Sequence, residues 1–556
     1  MKKLFTIIVA FMPLMAMAQS MNVNVDSVGT LAKHLPDSVR FKVADLKVTG
    51  PLNGADLKLL SQIVTRTKTN KKFAGECLVT SIDLSEATIV EGKDGMKTEN
   101  NALPNSLFSG AKSLVKATLP DNTISIGRNC FDNCSALKDI TIPETVVTIG
   151  AKAFSDCTSL VDLRLPEVLT KIENEAFEGC LSLTAIELPA TVVELGNNVF
   201  AGCKSLTKVT INGNLKGIGT ASFMDCESLA EITVPESVRS IGTNAFRGCK
   251  SLTVITLGEE IEEIGNSAFE KCSTLNNIGI NKVGKIGSNA FQDCSSLKTL
   301  ELEGVKKMGN GAFQNCISLT SLTIQGSLDE IGMNTFANCS NLNAITLPSS
   351  IKKIESRAFM DCKNLAEIEL PSSLTKINDH VFENCSSLKS IVIPNLVRDI
   401  GNSVFENCTV LDSIDIKGFI DEIEKDMFRN CHNLQSVSIP VSVKKIGAEA
   451  FLECTALRTI TLPVTLLSIG NSAFEKCSAL QSIVIPAAVK EIGGSAFAKC
   501  VSLREVIINA PQPPKMSKST FKDVVLGACK FYVPKGFRNM YMQDKQWQKI
   551  PQLLEK

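Results

Sequence analysis

Cysteine is the residue whose type and spacing first point to chemistry. Cys134, Cys157, Cys180, Cys203, Cys226, Cys249, Cys272, Cys294, Cys316, Cys339, Cys362, Cys385, Cys408, Cys431, Cys454, Cys477 and Cys500 follow one another at 23-residue steps, except for 22-residue steps starting at Cys272 and Cys294. Thiolates bind zinc, and pairs of thiols form disulfides. A ladder suits neither use. In-register neighbours on parallel strands lie ~4.8 Å apart, and their Cβ atoms point the same way, whereas a disulfide draws its Cβ atoms to ~3.8 Å. A zinc site needs four converging ligands, and a ladder presents a line. The series is expected to be structural, each thiol a small buried filler whose S–H reaches a neighbouring backbone carbonyl. Scattered disulfides and a metal site are the lesser alternatives. Cys130 and Cys134 form an i, i+4 pair, but Cys130 stands where other units carry Ala, which favours packing.

The remaining candidates are sparse. His34, His380 and His432 fall at unrelated positions, none beside a recurring Ser or Cys, and are expected to face solvent. The run Asp421-Glu422-Ile423-Glu424-Lys425-Asp426 has the oxygens calcium prefers, yet Ile423 occupies a core position, so a solvated turn is expected. Phosphate-loop, dinucleotide, zinc-protease and nucleophile-elbow motifs do not occur. The chain is read as a non-enzyme with no catalytic residue, no metal and no cofactor.

The elements carrying the ladder are read from the repeat itself. Each ladder cysteine lies three residues after a Phe, and the Phe series runs further, from Phe108 to Phe521. The unit Ala153-Phe154-Ser155-Asp156-Cys157-Thr158-Ser159-Leu160-Val161-Asp162-Leu163-Arg164-Leu165-Pro166 ends at Ile172-Glu173, and most other copies close on Ile-Gly. Alternation in L-x-x-I-x-I is that of a half-buried strand, with Ile140 and Ile142 inward and Thr141 outward. Pro143, Pro166, Pro189, Pro235 and Pro348 end strands because proline lacks an N–H. Gly150, Gly242 and Gly265 permit a bend, and the segment around each Phe supplies a short helical or 3₁₀ turn. One coil cannot bury enough apolar surface to stand alone, so stacking is obligatory. The fold expected is a leucine-rich-repeat solenoid of about 19 coils of 22–23 residues. It carries a parallel β-sheet on one face, turns and loops on the other, and a cap at each end.

The pattern A-F-x-x-C-x-x-L-x-x-I-x-I-P, closing on I-G, resembles the leucine-rich repeat of the BspA-like surface proteins of anaerobic bacteria. The stretches Leu46–Asp56 and Ile82–Ala87 resemble that family's amino-terminal segment, and Tyr532-Val533-Pro534-Lys535-Gly536 with Tyr541 and Trp547 its closing segment. The likeness covers nearly all of residues 25–556. Departures are the 22-residue coils, Ala111 in place of the first Cys, and Asn212, Gly258, Asn281, Glu303, Gln325 and Lys417 where proline would follow the strand. The resemblance implies a secreted or cell-surface protein that binds proteins, such as host extracellular matrix components or bacterial surface proteins, in adhesion.

Composition agrees with a binding scaffold. The 556 residues include 58 basic and 58 acidic side chains, and loss of Lys2 and Lys3 with a leader leaves 56 against 58. No basic field is present for nucleic acid or an anionic membrane. Residues 1–18 read as a signal peptide: Lys2 and Lys3, an apolar run from Leu4 to Leu14, then Ala16-Met17-Ala18. Export follows, to the surface or medium with the periplasm as the alternative, and no integral membrane span is expected after cleavage. Residues 19–110 are read as an amino-terminal cap with irregular first coils, 111–508 as regular repeats, and 509–556 as a carboxy-terminal cap. Binding is assigned to the outward sheet column Thr141, Arg164, Glu187, Thr210, Thr233, Thr256, Glu301, Thr323, Thr346, Glu369, Asp415, Ser438 and Thr461. The column also contains Gly279, Val392, Val484 and Ile507 and has no aromatic residue. The alternatives are a structural component of the bacterial envelope and a glycan-binding module, the latter weakened by the missing aromatic platforms.

Overall fold

The computed structural model describes residues 19–65, 77–280 and 282–556. The signal peptide read at residues 1–18 and the departure at Asn281 lie outside the described residues. Two compact units divide at residues 195 and 196, and each is a stack of coils joined by parallel strands.

In the first unit, the strands Gln19–Asn24, Val43–Leu52, Ser81–Asp83, Lys116–Thr118 and Asp139–Thr141 pair in that order. Helix Gly54–Val64 packs Leu57, Leu60, Ile63 and Val64 inward, and its start is closed by a capping box between Asn53 and Asp56. A second ladder joins Ala102–Leu103, Ser125–Ile126, Thr148–Ile149, Lys171–Ile172 and Glu194–Leu195. The second unit repeats both ladders, as in Lys208–Ile211 with Glu231–Thr233 and Val254–Thr256, and Gly217–Ile218 with Ser240–Ile241 and Glu263–Ile264.

The segment read as a turn at Ile-Gly is thus a two-residue parallel strand. Glycine there serves close approach: a Cβ on Gly150 would lie 2.8 Å from the Ile126 carbonyl oxygen, and one on Gly265 would lie 2.6 Å from the Thr243 nitrogen. Neither glycine has positive φ. The bend is made around Phe, where residues such as Lys152 (φ 57°) and Asp156 (φ 56°) adopt the left-handed conformation. Left-handed residues interrupt helical continuation, so the repeats hold hydrogen-bonded turns and, among the described residues, no helical segment there. These turns form a third ladder, with Lys152, Phe154 and Asp156 donating to the carbonyls of Asn174, Ala176 and Glu178 at 3.0, 2.8 and 2.7 Å.

Where proline is missing, two strands lengthen. Thr299–Val305 runs through Glu303 and Ser321–Gly326 through Gln325, and the two pair over Leu302 and Ile324 before a register shift. An N–H at the proline position lets pairing continue. Phenylalanines fill the core. Neighbouring rings from Phe200 to Phe521 stack with centroids 5.1 to 5.7 Å apart, an offset geometry favoured by the ring quadrupole. In the first unit, Phe131, Phe154 and Phe177 stack at 5.3 Å.

Candidate functional site

The outward column is built by alternation on the first ladder. Thr210 pairs with Thr233 and Thr233 with Thr256; Glu301 pairs with Thr323 and Thr323 with Thr346; Val392 pairs with Asp415 and Asp415 with Ser438. In the first unit Thr141 pairs with Thr118, and Glu187 is exposed on the strand Ala185–Leu188. Thr210, Thr323 and Asp415 are half-buried, and the other ten assigned residues are exposed. Arg164, Glu369 and Thr461 lie in extended segments that join no strand ladder, and Arg164 reaches Glu144 at 3.1 Å. The structure therefore divides the column into blocks. It also prolongs it, since Ile507 pairs with Tyr532, whose ring has Lys556 Nζ 5.2 Å from its centroid. The alternating run Phe531-Tyr532-Val533 is the signal that could have placed this aromatic on the column. Trp547 is buried, with its indole N–H donating to the Pro514 carbonyl at 2.8 Å.

The ladder cysteines are buried and unbridged. From Cys226 to Cys500, each thiol donates to the carbonyl of a Phe in the preceding coil at 3.1 to 3.2 Å. Cys134, Cys157 and Cys180 do the same in the first unit. The Phe313 carbonyl, for example, accepts from the Cys316 N–H and the Cys339 S–H, which satisfies both lone pairs of a group without water. Burial pushes the Cys339 and Cys500 thiols up to about 12 and Cys529 to about 11. Thiols held protonated are poor nucleophiles and metal ligands.

Beside the cysteines runs a polar ladder not anticipated from the sequence. Asn384, Asn407 and Asn430 have φ near 60°, and their side-chain amides link at 2.8 and 2.7 Å; likewise Asn338 donates to the Asn315 amide oxygen at 2.8 Å and Asn315 to the Asp293 carboxylate at 2.7 Å. Recurrent Asn, Asp and Gly immediately before Cys carried the signal.

All three histidines are half-buried, contrary to the solvent-facing expectation. His34 ends the short helix Leu31–His34, His380 Nδ1 lies 2.8 Å from Glu383 Oε2 within its own arch, and His432 Nδ1 lies 3.0 Å from the Glu453 carbonyl of the next coil. His380, Glu383 and Glu406 have potential ligand atoms within 4.8 Å of one another. Arg429 Nε sits 3.8 Å from Glu406 Oε1 and competes with a cation for that carboxylate. In the acidic run, Ile423 is buried, but so is Asp426, which faces Arg429 at 3.5 Å; that part is not a solvated turn. Among the described residues, no helix is long and apolar enough to cross a membrane.

Stacked coils of 22–23 residues with a Leu/Ile/Phe/Cys core and an outward polar column define a leucine-rich-repeat solenoid protein. The family model for the BspA type leucine-rich repeat region, six copies, matches residues 101–230, 216–343, 306–435 and 421–541. The chain belongs to this family. None of the curated proteins matches it. Among solved structures, a leucine-rich repeat protein of Bacteroides ovatus is 26% identical over 80% of this chain and 90% of its own, with a TM-score of 0.36. The Treponema pallidum leucine-rich repeat protein is 30% identical over 29% of this chain and 72% of its own, with a TM-score of 0.26. A leucine-rich cell surface protein of Faecalibacterium prausnitzii is 24% identical over 71% and 84%, with a TM-score of 0.24. The family assignment rests on the repeat match.

Proposed function

We propose that the protein is an exported, surface-displayed binding scaffold that holds partner proteins along its outward sheet column, in adhesion to host or bacterial surface proteins, without catalysis. The observation that carries this reading is the column itself: in-register polar side chains such as Thr210, Thr233 and Thr256 stand on rigid strands. Ordered side chains on a preformed surface lose little freedom when a large partner docks. Membership of the BspA-type family supports a role at the surface. The buried Trp547 and the threonine-rich column favour protein over stacked sugar as the partner.

The test is binding of the purified protein to immobilised matrix and plasma proteins, mucin and bacterial envelope fractions. A Thr233→Lys/Thr256→Lys variant serves as the control. Saturable binding to a host or bacterial surface protein, lost in the variant, is expected. Binding confined to the protein's own envelope fraction would replace adhesion by a structural role, and binding only to mucin glycans would replace it by sugar recognition.

A further inference from the structure

Two neighbouring arches bring three ligand groups of mixed chemistry together. His380 and Glu383 stand on one arch and Glu406 on the next, and a ligand atom of each lies within 4.8 Å of the other two. Among the described residues, no other three His, Cys, Asp or Glu side chains converge in this way. Sequence spacing conceals the group, since Glu406 stands a full 23-residue period after Glu383. The fold supplies the alignment. Glu383 and Glu406 each follow a core phenylalanine, and the rings of Phe382 and Phe405 stack 5.7 Å apart. The Phe382 N–H donates to the Val404 carbonyl at 2.9 Å and the Asn384 N–H to the Glu406 carbonyl at 2.8 Å, so both carboxylates rise from rigid, joined turns. His380, two residues before Phe382, sets Nδ1 2.8 Å from Glu383 Oε2.

The side chains of His380, Glu383 and Glu406 are 31, 21 and 18% exposed, open enough to admit an ion and closed enough to exclude much of its water. Glu406 is the most informative of the three. Its carboxylate accepts no hydrogen bond from the described residues, and the only ion pair it makes among them is to Arg429; a carboxylate so placed is costly until it is paired. Arg429 satisfies it poorly. The guanidinium donates through Nη1 to Glu449 at 2.9 Å and faces Asp426 at 3.5 Å, while its Nε, 3.8 Å from Glu406, has no hydrogen-bond partner. Two carboxylates and a neutral imidazole carry the charge that one divalent cation cancels. A mixed nitrogen and oxygen set suits zinc, whereas calcium and magnesium prefer oxygen alone. Zinc bonds of about 2.0–2.2 Å place tetrahedral ligand atoms about 3.4 Å apart, a spacing that side-chain rotation reaches from the one observed.

We infer that His380, Glu383 and Glu406 bind one zinc ion, with a fourth position left to water. Arg429 stands beside the site as a competing cation and holds the affinity down. The inference concerns the arches and is independent of the reading of the outward column as a protein-binding face.

The test is isothermal titration of the whole, tag-free protein with zinc chloride, after treatment with a chelator and dialysis. One zinc per chain is expected. His380→Ala and Glu406→Gln should weaken binding by about tenfold or more, and Arg429→Gln should tighten it by removing the competing charge. Glu475→Gln, at the same place in another arch, should change nothing. Cobalt substituted for zinc should show visible d–d bands without a sulfur-to-metal charge-transfer band, which separates this site from the cysteines. Circular dichroism monitors the fold, and the near-isosteric Glu406→Gln decides the matter if His380→Ala disturbs it. No stoichiometric binding, a thiolate signature in the cobalt spectrum, or zinc binding unchanged in Glu406→Gln overturns the inference.

Discussion

Each ladder cysteine has two tasks, filling a small apolar space and donating to a Phe carbonyl. Cys339→Ala removes the second donor to the Phe313 carbonyl, and an unmet buried acceptor costs about 1–3 kcal/mol. A lowered urea midpoint is the expected readout. In the native protein the ladder thiols should be silent to a thiol reagent at pH 8, and all 20 cysteines should react after unfolding in urea. Rapid native labelling of the ladder would contradict its burial. Burial raises these thiols in the folded state, Cys339 and Cys500 to about 12, whereas an unfolded thiol ionises near pH 8.5. Their contribution to stability is therefore full below about pH 8.5 and is lost as pH rises toward 12, by about 1.4 kcal/mol per thiol per pH unit. Thermal melts from pH 7 to 10.5 should show a midpoint falling only in the alkaline half. The thiol's burial and its bond to a backbone carbonyl were legible from regular spacing; that the carbonyl is a Phe of the preceding coil was not, because that depends on the direction of a carbonyl one coil away.

The arch is the element where sequence pattern and conformation diverge. Phe, Cys and Leu spacing fits a short helix, yet Asn and Asp at φ near 60° turn the chain instead. Asn407→Ala should lose both side-chain bonds to Asn384 and Asn430 and hold a Cβ-bearing, non-amide residue in the left-handed region, at roughly 1–2 kcal/mol for the conformation alone. Asn407→Gly relieves that conformational cost and loses only the amide bonds. Urea unfolding should rank wild type above Gly and Gly above Ala; equal losses would mean that backbone conformation is immaterial there. Proline placement was readable with only part of its consequence: strands lengthen at Glu303 and Gln325, yet those before Asn212, Gly258 and Lys417 stop without a proline. The second ladder was not readable. Two residues before a glycine are too short for a periodic signal, and they become a strand only when the same pair in the next coil lies alongside.

A stack stabilised by nearest-neighbour contacts should tolerate loss of a whole coil better than loss of part of one. Excision of residues 420–442, one 23-residue period, is expected to leave a cooperative melt and the same far-UV signal per residue. Excision of 420–431 alone shifts the register and should abolish that melt. At the carboxy end, Lys530–Val533 covers the strand Glu505–Ile508 and Leu553–Glu555 follows, while Trp547 packs edge-on to Tyr541 at 5.2 Å. Removing residues 515–556 would expose a strand edge and its apolar coil, and light scattering should then detect oligomers. A monomeric truncated protein would show that this segment is dispensable as a cap.

The repeat by itself determined the coil, its inward Phe, Cys, Leu and Ile and its outward column, because burial on a stack imposes one residue type at each period. It identified the family for the same reason. Tertiary structure alone decided which coils pair on the outward face, where left-handed asparagines link neighbouring arches, and which charges lack partners. The segments Glu367–Leu370 and Ser390–Ile393 follow nearly the same sequence pattern, yet only the second joins a ladder. Pairing is a property of two coils and their spacing, and a single coil's sequence does not contain it.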